Sequence, residues 1–131
     1  MTAVRVIARL DIKAPNLVKG VHLEGLRVMG VPSEFSERYY LGGADEIIYQ
    51  DIVASLYGRN NILDLVKDTA INVFIPMTIG GGIRSIEDAR AALRAGGDKV
   101  SINTAATKSP ELIKKLAETF GSQCVVVTIE S

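Results

Sequence analysis

Short apolar runs alternate with stretches of helical periodicity along the whole chain. Val4 to Leu10 reads as a strand. The residues after it, "DIKAPNLVKGVHLEGLRVMGVP", read as a long polar loop. Pro32 and Ser33 then open a helix, with Glu34 in its first turn and Phe35 and Tyr39 on one face. A second strand runs from Glu46 to Gln50, and "ASLYGRN" leads into a helix whose Ile62, Leu65, Val66 and Thr69 keep the 3.6 period. A third strand spans Val73 to Ile79. "GGGIRS" leads on to a helix capped by Ser85, with Asp88 three residues later as a capping-box variant. A fourth strand runs from Lys99 to Ile102. Ser109, Pro110 and Glu111 supply an N-cap, an N1 proline and a first-turn acid for a helix that buries Leu112, Ile113, Leu116 and Phe120. Val125 to Ile129 is the fifth strand.

This order, βα four times and then β, predicts a parallel sheet with right-handed crossovers. It fits a five-stranded doubly wound sheet. It equally fits half of a (βα)₈ barrel, whose full length of roughly 250 residues is about twice this chain. The pattern alone leaves both open.

Composition narrows the class. At 131 residues, 47% of them hydrophobic, the chain is expected to form one domain over 1–131 with a real core. Fifteen basic and fifteen acidic side chains give no electrostatic case for nucleic acid or a membrane surface. Cys124 is the single cysteine, so an intrachain disulfide is ruled out, and it reads as a small buried hydrophobe. The first residues carry charge where a signal peptide needs an apolar run, and nothing approaches the roughly 20 apolar residues of a membrane span. A cytoplasmic setting is expected.

Parallel strands gather their C-terminal ends on one rim, where α/β active sites are built. That rim receives Asp11, Asp51, the glycines at 80 to 82, Asn103-Thr104-Ala105 and Glu130. Two carboxylates facing each other across a pocket can divide acid and base roles; both aspartates also suit ordinary loop caps. Gly81 and Gly82, between an apolar strand and a capped helix, can bring backbone amides close to an anion, and Asn103 and Thr104 repeat the theme in the next unit. The bland reading is a tight turn at positive φ. The run lacks both the P-loop and the dinucleotide fingerprints. At the opposite rim Arg5, Glu46 and Lys99 begin three strands. Inward-facing charges there need partners, and mutual pairing leaves one positive charge over. Period two also sets Arg5, Ile7, Arg9 and Asp11 on one face.

Together the segments "LDIKAPNLVKG", "GADEIIYQDIVAS", "FIPMTIGGGI", "GGDKVSINTAA" and "FGSQCVVVTIE" resemble the cyclase subunit of the imidazole glycerol phosphate synthase family, in order and over essentially the whole chain. The resemblance implies a (βα)₈ barrel of which this chain is the N-terminal (βα)₄β half. It implies an ammonia-using cyclase fed by a glutaminase subunit and acting on a phosphorylated ribulosyl aminoimidazole carboxamide nucleotide, with no cofactor and no metal. It assigns Asp11 as general base and Glu130 as general acid. It makes Lys19, Asp51, Gly81, Gly82, Asn103 and Thr104 substrate or phosphate contacts, and Arg5, Glu46 and Lys99 part of an ammonia gate on the glutaminase face. Two positions depart from the family: Glu130 stands where aspartate is usual, and Arg9 replaces a small residue beside Asp11. "VHLEGLRVMGVP" and "YGRNNI" look closer to cyclase-like paralogues of surface-polysaccharide gene clusters, which implies a sugar substrate as the alternative. His22 reads as a loop residue. The rival function is a truncated, non-catalytic half-barrel that binds phosphate and self-associates. A homodimer of half-barrels is expected, in which the fifth strand is surplus and is displaced, swapped or poorly ordered.

Overall fold

The computed structural model describes residues 4–13, 16–20, 26–51, 61–103 and 110–128; for 16–20 and 26–29 it describes the backbone alone. The elements are β1 (Ile7–Lys13), β2 (Asn16–Gly20), β3 (Leu26–Gly30), α1 (Pro32–Leu41), β4 (Glu46–Asp51), α2 (Ile62–Ala70), β5 (Met77–Gly80), α3 (Ile86–Ala95), β6 (Lys99–Asn103), α4 (Pro110–Phe120), a short 3₁₀ turn at Ser122–Cys124, and β7 (Val125–Thr128). One sheet holds all seven strands in the order β3-β2-β1-β4-β5-β6-β7.

That order decides the topology. β1, β4, β5, β6 and β7 are mutually parallel and lie side by side in chain order. A doubly wound sheet reverses direction at a switch point; this one advances without reversal, and each helix packs on the next, α1 on α2, α2 on α3, α3 on α4. The fold is a (βα)₄β half-barrel.

Several boundaries differ from the sequence reading. The residues read as a polar loop after the first strand contain an antiparallel hairpin, β2–β3, joined to β1 through Ile12↔Leu17 and Lys13↔Asn16. This pairing extends β1 to Lys13, and its start waits for Ile7 to meet Glu46 of β4. The third parallel strand starts at Met77 rather than Val73, because Pro76 has no N–H to give a ladder; its carbonyl still accepts from the Ile47 amide at 3.0 Å. The fifth parallel strand is paired with β6 from Val125 to Thr128 within the single chain.

The core lies between sheet and helices. Leu10 and Ile12 of β1, Ile47 and Tyr49 of β4, Ile79 of β5, and Val100 and Ile102 of β6 point to the helices. They meet Ile62, Leu65 and Val66 of α2, Ala89 and Ala92 of α3, and Leu116 of α4. All four residues read as the apolar stripe of α2 are buried. In α4 only Leu116 is fully buried; Leu112, Ile113 and Phe120 pack partly covered against the core. Helix starts follow local chemistry. Asn61 accepts from the Asp64 amide at 3.0 Å, and Ser85 from the Asp88 amide at 3.1 Å. The Asp88 carboxylate takes the amide of Arg84, one residue before the cap.

The alternate side chains form a second face that, among the described residues, no helix covers. Its rows follow the register: Arg9, Ile48, Thr78 and Lys99, then Asp11, Gln50, Gly80, Ser101 and Val126, then Asn103 and Thr128.

Candidate active site

At the lower rim two aspartates act as latches. The Asp45 amide donates to the Val6 carbonyl at 2.8 Å, and its Oδ2 accepts from the Val6 amide at 2.7 Å. Asp98 does the same to Met77, at 2.8 Å in each direction. Each latch grips the start of the preceding parallel strand and so seats the next residue at the strand base. Those next residues are Glu46 and Lys99. Glu46, with its side chain only 14% exposed, takes Arg5 Nη2 at 3.0 Å and Lys99 Nζ at 3.2 Å on the same oxygen, Oε1. The three charged strand-base residues come together as the sequence suggested, two cations on one carboxylate.

At the upper rim Asp11 lies on the open face, and Arg9 Nε reaches its Oδ1 at 3.3 Å. Asp51 does not join it. It pairs in register with Ile12 rather than Asp11, on the buried side of β4. There it backs the glycine turn: Gly81, at φ +87°, has no room for a Cβ because the Asp51 carbonyl occupies that space. Gly82 follows at φ +71°. Two consecutive positive-φ residues leading to the Ser85 cap explain the glycines structurally. Gly80 serves another purpose: a Cβ there would fall 2.5 Å from Gln50 Oε1 and 3.2 Å from Ser101 Cβ, so its absence lets Gln50 lie across the open face.

Asn103 ends β6 on the same face as Ser101, in register with Thr128. Lys19 sits in β2 opposite Arg27, known here by backbone alone. Glu130, Thr104 and His22 lie outside the described residues. Three groups of the open face were not singled out as site residues from sequence: Gln50, and the Ser101–Thr128 hydroxyl pair at 2.6 Å. For Ser101 the signal is the alternation of β6, Lys99, Ser101 and Asn103 against Val100 and Ile102.

Behind the site runs a buried hydroxyl chain. Tyr49 is fully buried, with its Oη 2.6 Å from Ser36 Oγ and 2.5 Å from Thr69 Oγ1. Thr69 donates to the Leu65 carbonyl at 2.8 Å. Its hydroxyl proton being used there, Thr69 must accept from Tyr49, and Tyr49 in turn accepts from Ser36. Burial pushes the Tyr49 phenol above its ordinary 10.0, against the opposing pull of the bonds to Ser36 and Thr69.

Over residues 5–131 the sequence matches the family described as histidine biosynthesis protein. The chain belongs to that family. Within the histidine biosynthesis family it is 67% identical over 131 residues to the imidazole glycerol phosphate synthase subunit HisF of Legionella pneumophila, a match covering all of this chain and 62% of that protein. It is 56% identical over 129 residues to the HisF subunit of Methanopyrus kandleri, covering 98% of this chain and 47% of that one. With the HisF subunit of Bacillus cereus it shares 53% over 131 residues, all of this chain and 52% of the relative. The chain thus spans roughly half to three-fifths of the length of these family members. They bear out the resemblance drawn from the sequence segments.

Proposed function

We propose that this chain supplies the first half of an ammonia-using cyclase of the imidazole glycerol phosphate synthase type, acting in histidine biosynthesis. The observation that carries the reading is the placement of two chemistries on one uncovered sheet face, in a chain 67% identical to a HisF subunit. At the base, the Arg5–Glu46–Lys99 cluster is suited to admit ammonia and to meet a glutaminase subunit. At the top, Asp11 is suited to act as general base, with Glu130 as general acid. Gly81 and Gly82, with Asn103, Thr104 and Lys19, hold one phosphate of the substrate; Asp51 supports that site from behind the glycine turn. The substrate is the phosphorylated ribulosyl nucleotide, or a sugar on the way to an amidino sugar in the polysaccharide variant of the reaction. We place the protein in the cytoplasm, away from nucleic acid and membrane; among the described residues no helix is long and apolar enough to cross a bilayer.

The chain spans roughly half to three-fifths of the length of its HisF relatives, so by itself it is expected to show no turnover; misplacement alone costs on the order of 10²-fold. The test combines the chain with a complementing half-barrel and measures ammonia-dependent product formation. Turnover that Asp11→Asn abolishes, and that Glu130→Gln impairs more than Asp51→Asn, supports the assignment. Equal losses in Glu130→Gln and Asp51→Asn undo the acid assignment, and turnover by the chain alone undoes the half-site reading.

A second reading, a non-catalytic half-barrel that binds phosphate and covers its face with a second copy, draws support from the apolar exposure of Ile7 and Val126 on that face.

A further inference from the structure

From its base up to Asp11, the open face carries three cations, Arg5, Arg9 and Lys99, against two carboxylates, Glu46 and Asp11. Glu46 is shared by Arg5 and Lys99 through one oxygen, which leaves Arg9 to Asp11. This last pair differs from the cluster below it. Both partners are about half exposed, at 55% and 45%, and the contact is a single long one, Nε to Oδ1 at 3.3 Å. Pairs so exposed shift an equilibrium by roughly one- to fivefold. A guanidinium has five N–H donors in a planar fork suited to bidentate oxyanions, and Asp11 engages one of them. Beside Arg9 on its row stands Ile48, whose side chain has no polar atom to compete for it. A guanidinium weakly held by one long contact and facing outward beside a carboxylate is the arrangement an anionic ligand can take over.

We propose that Arg9 is an oxyanion-binding residue of the open face, and that a phosphate or carboxylate group of the substrate takes its guanidinium from Asp11. The exchange releases Asp11 Oδ1, so the carboxylate meets the substrate uncapped only when an anion is in place. The inference deepens the reading of Asp11 as general base and rests on it. A ligand shifts such an equilibrium only by its preference for one state; because the Arg9–Asp11 pair is weak, a modest preference is enough.

The test uses the full chain, isotope-labelled, titrated with inorganic phosphate and separately with acetate at constant ionic strength held by sodium chloride. The Arg9 Nε–H and the Asp11 carboxyl carbon are followed together. They are expected to move along one saturable curve, and the anion that produces it identifies the ligand class. Arg9→Gln should silence the Asp11 response while leaving the Gly81 and Gly82 amide shifts in place. Asp11→Asn should tighten binding at Arg9 by roughly two- to fivefold, the strength of the competing pair. Arg9→Lys, which keeps the charge and loses the fork, should bind more weakly than the parent. All these substitutions change exposed side chains, and circular dichroism verifies the fold. An Asp11 response that persists in Arg9→Gln, or an Arg9 Nε–H that stays still with both anions, overturns the proposal. A flat titration, alongside turnover with the complementing half-barrel that Asp11→Asn abolishes, removes the exchange and leaves the base assignment standing. Turnover indifferent to Asp11→Asn removes the base assignment even where the titration curves are as expected.

Discussion

Replacing Tyr49 by phenylalanine removes one oxygen from a fully enclosed position and breaks two hydrogen bonds, from Ser36 and to Thr69. Each such bond contributes about 1 kcal/mol net, and buried Ser36 loses the acceptor for its hydroxyl, so the expected cost is about 1–3 kcal/mol. Thr69→Val costs about as much or more, because it strands the phenol donor in the core and also removes the bond to the Leu65 carbonyl. Combining the two leaves no stranded phenol. The double variant should therefore lose less than the sum of the single losses, by about 1 kcal/mol. Urea unfolding at a common m-value reads all four corners of the cycle.

A pH series adds an independent check. The phenol's folded value is raised above 10.0 by burial, so the unfolded chain gives up that proton first as pH rises. The unfolded state then binds fewer protons than the native state, and stability falls with pH. Tyr49's contribution is intact below about pH 10 and is lost as pH climbs through the folded value. The stability difference between parent and Tyr49→Phe should shrink above that point. Strict additivity of the cycle, together with a difference that stays flat in alkali, would refute the directed hydroxyl chain.

Gly81→Ala should destabilise the chain by more than about 1 kcal/mol and blunt phosphate-induced amide shifts at Gly82, since it combines a positive φ with a clash against the Asp51 carbonyl; thermal unfolding and an amide titration check both. Asp98→Ala should cost about 1–3 kcal/mol in urea by orphaning the Met77 amide, whereas Asp98→Asn, which keeps an acceptor, should recover most of that loss. Light scattering on the purified chain should report a dimer at tens of micromolar, in line with the bare face and edges; a cooperatively folding monomer at that concentration would exclude self-association.

The helices and parallel strands were legible because their signals are local. The stripe of Ile62, Leu65, Val66 and Thr69 and the cap at Ser85 depend only on near neighbours, and the structure reproduces them. The β2–β3 hairpin was not, because its strands, Asn16–Gly20 and Leu26–Gly30, are short and interrupted by polar residues, so the pairing partner rather than propensity decides their state. The strand-base cluster was legible from three charges at one level of the sheet. The latches that seat it were hidden, since an aspartate before a strand looks like any turn residue until the adjacent strand supplies the amide. Asp51 shows the reverse failure. Its place after a strand suggested the same rim as Asp11, but one residue of parity sends it to the other side of the sheet.

The hairpin pairs with β1 only at Ile12 and Lys13, and among the described residues no strand pairs with the outer edge from Ile7 to Asp11. It thereby acts as a stop. A strand arriving at that edge, from whatever chain, runs out of room below Ile12 and has five residues on which to pair. Sliding one step toward the stop exchanges every inward side chain for an outward one, so the overhang converts an open edge, ordinarily a site of promiscuous fibre-like growth, into a berth of fixed length and height.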